Sequence, residues 1–382
     1  MIPIQRLLAS LACTFILSPA WPGTNSGIPY NVKDSIPHNG YRVMQVSFVP
    51  NFGTNGLAGD SIVNDISLNI LAGSVYEVNI FEIGSLFNVV QRNIGGCELA
   101  GIGNFVGGNV HGFQCAGIIN TANGLVGLQT AGLVNRANYA NGLQIAGLVN
   151  QSSGGPVKQI SGLMNISGQS SSFQVAGLIN NSPSTVFQMA GLINNSSGTG
   201  SFQAAGLMNN SKKVSGFQVA GLLNSAFTVK GLQLAGVVNN SDTVNGSQIS
   251  GVINRASYVK GVQVGVINIA DSVGGVPVGV INIVKNGYHQ FELSVDELFI
   301  ENMAFRSGLK QFYSIVTAGV EITHLMQPRW TYGAGFGTSA AIGRKTTFNI
   351  DALFQNIANL VQVQIVRVGR CIVGMQIGRA HV

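Results

Sequence analysis

Phe217-Gln218-Val219-Ala220-Gly221-Leu222-Leu223-Asn224 is followed, 15 residues on, by Leu232-Gln233-Leu234-Ala235-Gly236-Val237-Val238-Asn239. The same phrase stands earlier as Phe113-Gln114-Cys115-Ala116-Gly117-Ile118-Ile119-Asn120 and Phe173-Gln174-Val175-Ala176-Gly177-Leu178-Ile179-Asn180. It occurs fourteen times between Phe81 and Asn282, nearly always at a step of 15 and otherwise at 14 or 16. Gln, or Glu at the first two places, falls at Glu82, Glu98, Gln114, Gln129, Gln144, Gln159, Gln174, Gln188, Gln203, Gln218, Gln233, Gln248 and Gln263, and Pro277 replaces it in the last copy. An Asn closes every copy: Asn88, Asn104, Asn120, Asn135, Asn150, Asn165, Asn180, Asn194, Asn209, Asn224, Asn239, Asn254, Asn268 and Asn282. A fixed period of this kind marks a repeat architecture.

The phrase does not suit a helix. Gly near its middle costs a helix about 1 kcal/mol, and Val, Ile and Phe favour strands. Alternation puts Phe217, Val219, Gly221 and Leu223 on one face and Gln218, Ala220, Leu222 and Asn224 on the other, so each copy reads as a strand of about eight residues. Turn residues such as Asn209-Asn210-Ser211-Lys212-Lys213 separate the copies. The fold class is therefore all-β, in one of two arrangements. In a parallel β-solenoid each repeat is one coil, and Asn120 through Asn254 form a ladder of side-chain amides bonding the coils above and below. Fourteen such coils make a rod of roughly 65 Å. In a single large antiparallel barrel each repeat is one strand, with its Phe/Val face toward lipid. The solenoid is the better reading, because up and down strands have no reason to share one register.

Outward from the repeats, the chain divides into a signal peptide (1–20), a polar spacer (21–42), leading strands (43–80), the repeat region (81–284), an antiparallel barrel-like region (285–376) and a foreign tail (377–382). Arg6, the apolar run Leu7 to Leu17 and the small residues of Ser18-Pro19-Ala20 have the order of a secretory signal. Cys13 after Ser10-Leu11-Ala12 leaves a lipoprotein signal as the lesser alternative. Val43 to Val49 and Ile66 to Gly73 are expected strands, with Asn55-Gly56 as turn chemistry between them. Four longer strands follow the repeats: Phe312 to Ile322, Trp330 to Ile342, Thr346 to Gln355 and Val361 to Val368. In the second, Trp330, Tyr332, Ala334, Phe336 and Thr338 share one face, while Thr331, Gly333, Gly335, Gly337 and Ser339 share the other. Aromatic outside and small or polar inside is an outer-membrane strand pattern; a soluble antiparallel sheet is the alternative. Ile377 to Val382 match the translation of a common sequencing adapter. They are expected to be an assembly artefact that replaces the native C-terminal strands.

With these residues in view, the chain resembles the surface repeat-containing, outer-membrane-associated proteins of Gram-negative bacteria. The resemblance rests on the Gly-Leu-Gln-Val-Ala-Gly-Leu-Val-Asn phrase, on Val46-Ser47-Phe48-Val49-Pro50 with Gly53-Thr54-Asn55-Gly56, and on Pro277 to His289. It covers about residues 43 to 370. It implies export and a place in the cell envelope, and it brings no catalytic residues.

Charged residues are 9% of the chain and the net charge of +6 is spread thinly. No Lys/Arg cluster with interleaved aromatics suggests a nucleic-acid partner. His38, His111, His289, His324 and His381 lack metal-ligand spacing, and surface or turn positions are expected for them. Cys97 and Cys115 fall on opposite sides of the Gln column, too far apart for a disulfide, and are expected as small core fillers; Cys371 has no evident mate. Asp296-Glu297 with Glu301 reads as a solvated loop or cap. Gly101 to Gly107 is one residue too long for a dinucleotide fingerprint, and Gly333 to Gly337 is strand texture. Asn-x-Ser sequons at Asn165, Asn180, Asn194, Asn209 and Asn239 arise where ladder Asn meets Ser-rich turns. The expectation is a non-enzymatic envelope protein without catalytic, metal or cofactor site, with a structural, display or adhesion role. Its partners would be outer-membrane or envelope components. An outer-membrane pore or transport component is the alternative.

Overall fold

The computed structural model describes residues 40–295, 301–321, 329–341, 346–359, 362–365 and 370–375. The expected signal peptide, almost all of the spacer, Asp296-Glu297, His38, His324 and the tail lie outside those residues.

From Gly40 to Val284 the chain winds into a parallel β-solenoid of about 15 turns. Like residues stack on like: Asn209 pairs with Asn224, and Gln218 with Gln233, in parallel register. The barrel of antiparallel repeats is thereby ruled out. Strands of one coil bond to the coils before and after, so the rod measures roughly 70 Å along its axis.

The expected eight-residue strand is in fact two strands meeting at a corner. Leu232–Ala235 carries Gln233, the chain turns at Gly236-Val237, and Val238–Val244 carries Asn239. In other coils the Asn strand runs on into the next Gln strand, as in the 13 residues of Met208–Ala220. The corner explains the recurrent Gly. A Cβ built on Gly221 would lie 2.1 Å from the carbonyl oxygen of Gly206 in the preceding coil. Close approach of two backbones, rather than an unusual φ, demands glycine here. The corner's amides are also satisfied: Leu222 N–H bonds Leu207 O at 3.1 Å and Leu223 N–H bonds the same oxygen at 2.9 Å.

The leading strands belong to the solenoid and do not flank it as an antiparallel element. Gly40–Val49 lies parallel to Ile62–Asn69, which lies parallel to Glu77–Gly84. The stretch expected as one strand from Ile66 to Gly73 breaks at Ile70-Leu71 into Ile62–Asn69 and Ala72–Val75. Asn55 precedes a 3-10 turn, Gly56–Ser61, that joins parallel strands. The small antiparallel pairing nearby is Phe52–Gly53 against the end of the first strand.

After Val284 the second sheet begins. Tyr288–Ser294, Glu301–Leu309, Phe312–Glu321, Arg329–Ala341 and Thr346–Asn359 are successive antiparallel neighbours. Thr346–Asn359 then pairs with Gln362–Ile365 near one end and Arg370–Met375 near the other. Of the expected strand from Val361 to Val368, the described residues are Gln362–Ile365, and they are strand. This end sheet closes the last coil. Asn282 Nδ2 donates to Ser314 Oγ at 3.2 Å, and Ser307 Oγ donates to the Asn282 carbonyl.

Candidate functional site

The interior of the solenoid combines polar ladders with an apolar column that includes Val214, Val229, Val244 and Val259. Every column Gln from Gln114 to Gln263 is 0% exposed, as is every ladder Asn from Asn88 to Asn254. Beside them the inner columns hold small residues, such as Ala220, Ala226 and Val229. Buried amides are tolerated only when their hydrogen bonds are made, and here each coil supplies its neighbour. Asn209 Nδ2 donates to Asn224 Oδ1 at 3.0 Å, and Asn224 Nδ2 to Asn239 Oδ1 at 3.0 Å. Each Asn also donates to a backbone carbonyl of the next coil, as Asn224 does to Leu234 O at 2.7 Å. The stack runs through Asn120, Asn135, Asn150, Asn165, Asn180, Asn194, Asn209, Asn224, Asn239 and Asn254, joining all ten expected positions. Since these Asn are sealed from solvent, the five sequons present no acceptor at the surface.

The Gln column makes a second ladder of opposite polarity. Gln233 Nε2 donates back to Gln218 Oε1 at 2.8 Å, and Gln218 to Gln203 at 2.7 Å. The donors thus point toward the N-terminal end, where the column changes to acids. Gln114 Nε2 donates to Glu98 Oε2 at 2.9 Å. Glu82 stacks next to Glu98 in register and accepts from Asn69 Nδ2 at 2.8 Å and Ser67 Oγ at 3.1 Å. Both acids are 0% exposed. Burial pushes the Glu82 carboxyl up to about 8; burial and the neighbouring Glu82 hold Glu98 well above the usual carboxylate range. Glu82 Oε2 and Glu98 Oε1 have no hydrogen-bond partner, and burial favours the protonated carboxyl at this end of the column. Asn69 ties the ladders together by donating also to Asn88 Oδ1 at 2.8 Å. It fills the place that Gly73 leaves vacant in the Asn column.

The outward side chains are the apolar ones. Phe217 is 53% exposed and Leu222 50%. Leu222, assigned by alternation to the Asn face, points outward because the corner interrupts the alternation. Cys97 and Cys115 lie on the outward columns, half-buried and free, rather than in the core. Phe173, Phe187 and Phe202 form an external stack, with ring centroids 5.1 and 5.0 Å apart.

In the end sheet the faces divide as the alternation of Trp330 to Ser339 suggests. Trp330, Tyr332, Phe336, Phe291, Phe305 and Phe354 are exposed, whereas Thr331 is buried. The opposite face holds a buried charged cluster that pattern reading missed. Arg306 Nη2 donates to Asp351 Oδ2 at 2.9 Å, Arg306 also pairs with Glu292, and Tyr313 Oη donates to Asp351 Oδ1 at 2.7 Å. Arg306 and Asp351 are 45 residues apart and carry no local signal of their pairing.

Among the described residues no group of three or more His, Cys, Asp or Glu could hold a metal ion. His289 sits at the junction of the two sheets, its Nε2 2.6 Å from Val284 O. Searches of protein-family models, curated proteins and solved structures returned no match to this chain.

Proposed function

We propose that this chain is a non-enzymatic structural protein of a Gram-negative cell envelope, held at the outer membrane by its end sheet and carrying the solenoid as a stiff surface element. The observation that carries this reading is the end sheet. Aromatic and aliphatic side chains cover one face, while Arg306, Asp351, Tyr313 and Thr331 are buried on the other. Strands with lipid-facing aromatics and inward polar groups are those that cross outer membranes. No helix among the described residues is long and apolar enough to cross a membrane, which leaves strands unaddressed. The secretory character of residues 1–20 agrees with export. A lumen through the repeats is not available to a transport role, because ladder amides fill the coils.

The test is cell fractionation followed by protease shaving of intact cells. The expected result is recovery in the outer-membrane fraction with cleavage of the repeat region from outside. Recovery as a soluble periplasmic protein would overturn the reading.

A further inference from the structure

The four columns flanking the solenoid corner form one continuous wall. In a single coil they are Phe217, Val219, Leu222 and Leu223. Phe, Leu, Ile, Val and Met dominate the equivalent positions from Phe81 to Ile281, and Lys158 is the sole charged residue among them. The columns are continuous because equivalent residues of successive coils pair in register. At roughly 70 Å by at least about 10 Å it exceeds the few hundred Å² of apolar patch usual on a soluble monomer. Its backbone polar groups bond along the axis, corners included, so it presents side chains alone. That is the condition for lying against hydrocarbon.

The rims of the wall are basic. Lys230 and Lys260 stand two residues before the wall on one side, and Arg136 and Arg255 stand one residue beyond the ladder Asn on the other. All four are at least partly exposed. No acidic residue occupies these rim positions from Phe113 onward; Asp242 and Asp271 lie on the opposite, polar side. A second copy docking wall to wall would bring basic rim to basic rim. A surface bearing phosphate headgroups would neutralise both rims at once.

We propose that the solenoid lies flat on an anionic lipid surface, its apolar wall set into the headgroup boundary and its polar side turned to solvent. This rests on the envelope reading above but assigns the repeats, rather than the end sheet alone, to the membrane. The polar side, with Lys212, Lys213 and Asp242, is then what the rod displays.

The test uses the full-length chain with its native cysteines changed to Ser, reconstituted into vesicles of equal parts phosphatidylglycerol and phosphatidylcholine, or of phosphatidylcholine alone. An environment-sensitive fluorophore is placed at Leu222→Cys on the wall, Lys212→Cys on the polar side, or Phe354→Cys on the end sheet. The expected result is a blue-shifted Leu222 label quenched by nitroxide lipids in the anionic vesicles, a water-exposed Lys212 label, and a lipid-exposed Phe354 label in both. Lys230→Gln and Lys260→Gln should each reduce the docked population's binding constant about fivefold. A water-exposed Leu222 label beside a lipid-exposed Phe354 label would overturn this proposal and spare the envelope reading. Labels exposed to water at both sites would overturn both. A blue shift that nitroxide lipids fail to quench, and that grows with protein density, would mean that a second copy covers the wall, and would also overturn it.

Discussion

Replacing one ladder amide should open the solenoid locally, and Asn224 is the position to change. Its Nδ2 donates to Asn239 Oδ1 at 3.0 Å and Leu234 O at 2.7 Å, and its Oδ1 accepts from Asn209 Nδ2 at 3.0 Å. Asn224→Ala removes these three and a longer donation to Gln218 O at 3.3 Å, in a site with 0% exposure. Asn209 keeps a bond to Val219 O at 2.7 Å, so the principal loss falls on Asn239 Oδ1 and Leu234 O. Leaving one or two buried acceptors short costs about 2–4 kcal/mol. Coils interact chiefly with their neighbours, so the damage stays local. Amide hydrogen exchange followed by mass spectrometry should show protection falling roughly thirtyfold to several hundredfold in the coils from Asn209 to Asn239, with distant coils unchanged. Asn224→Asp sharpens the test. A buried carboxylate would face two carbonyl oxygens, so its folded pKa rises above the ordinary value of about 3.9. The protonated acid can donate one of the lost bonds. Asn224→Asp should therefore be least damaging below about pH 4 and worsen as pH rises, whereas Asn224→Ala should not change with pH. Uniform loss of protection along the chain, or an Asp variant indifferent to pH, would refute the reasoning.

Three further outcomes follow from the same contacts. Gly221→Ala forces a Cβ toward Gly206 O at 2.1 Å and should destabilise its coil by about 1–3 kcal/mol, read by the same exchange experiment. The folded-state pKa of Glu82, raised to about 8, makes its contribution complete below about pH 4 and lost as pH rises through 8; Glu98 shifts in the same direction. Glu98→Gln should continue the amide ladder and reduce the loss of protection in the first coils between pH 6 and 9, and failure to do so would remove the acid pair from the account. Asp351→Ala removes one of the two acids paired with Arg306, which is 2% exposed, and the acceptor of Tyr313 Oη, and should cost the end sheet about 1–3 kcal/mol, seen as lowered denaturant resistance of that sheet; an unchanged midpoint would contradict the pairing.

The period, the strands and the Asn stack were legible because the same residues recur at one spacing, and stacking at about 4.8 Å lets each amide bond its own copy. Which face turned inward was harder to read. Apolar residues ordinarily mark the inside, and Cys97 and Cys115 were placed there on that basis. In a coil of 15 residues the interior is narrow. It accepts amides that bond their copies and small residues such as Ala220, while Phe217 and Leu222 go outside. The two Glu in the Gln column were visible as substitutions, but their raised pKa values depend on burial, which spacing does not reveal. The first coils escaped notice because Ser67 and Gly73 stand where the repeat has Gln and Asn. Asn69, from a neighbouring column, supplies the missing amide. In the end sheet, alternation revealed the aromatic face of Trp330, Tyr332 and Phe336. The Arg306–Asp351 pair depends on register through three successive strand pairings and has no signature in the local sequence.

The central claim is that the solenoid buries its amide ladders beside small side chains and turns the large apolar side chains of its corner outward. Single cysteines at Leu222 and Ala220, two residues apart in one coil, test it directly in the full-length chain with its native cysteines changed to Ser. The account predicts that a water-soluble maleimide labels Leu222→Cys readily in the folded protein lacking lipid, and reaches Ala220→Cys only on unfolding. Equal labelling at the two positions, or faster labelling at Ala220, would contradict it.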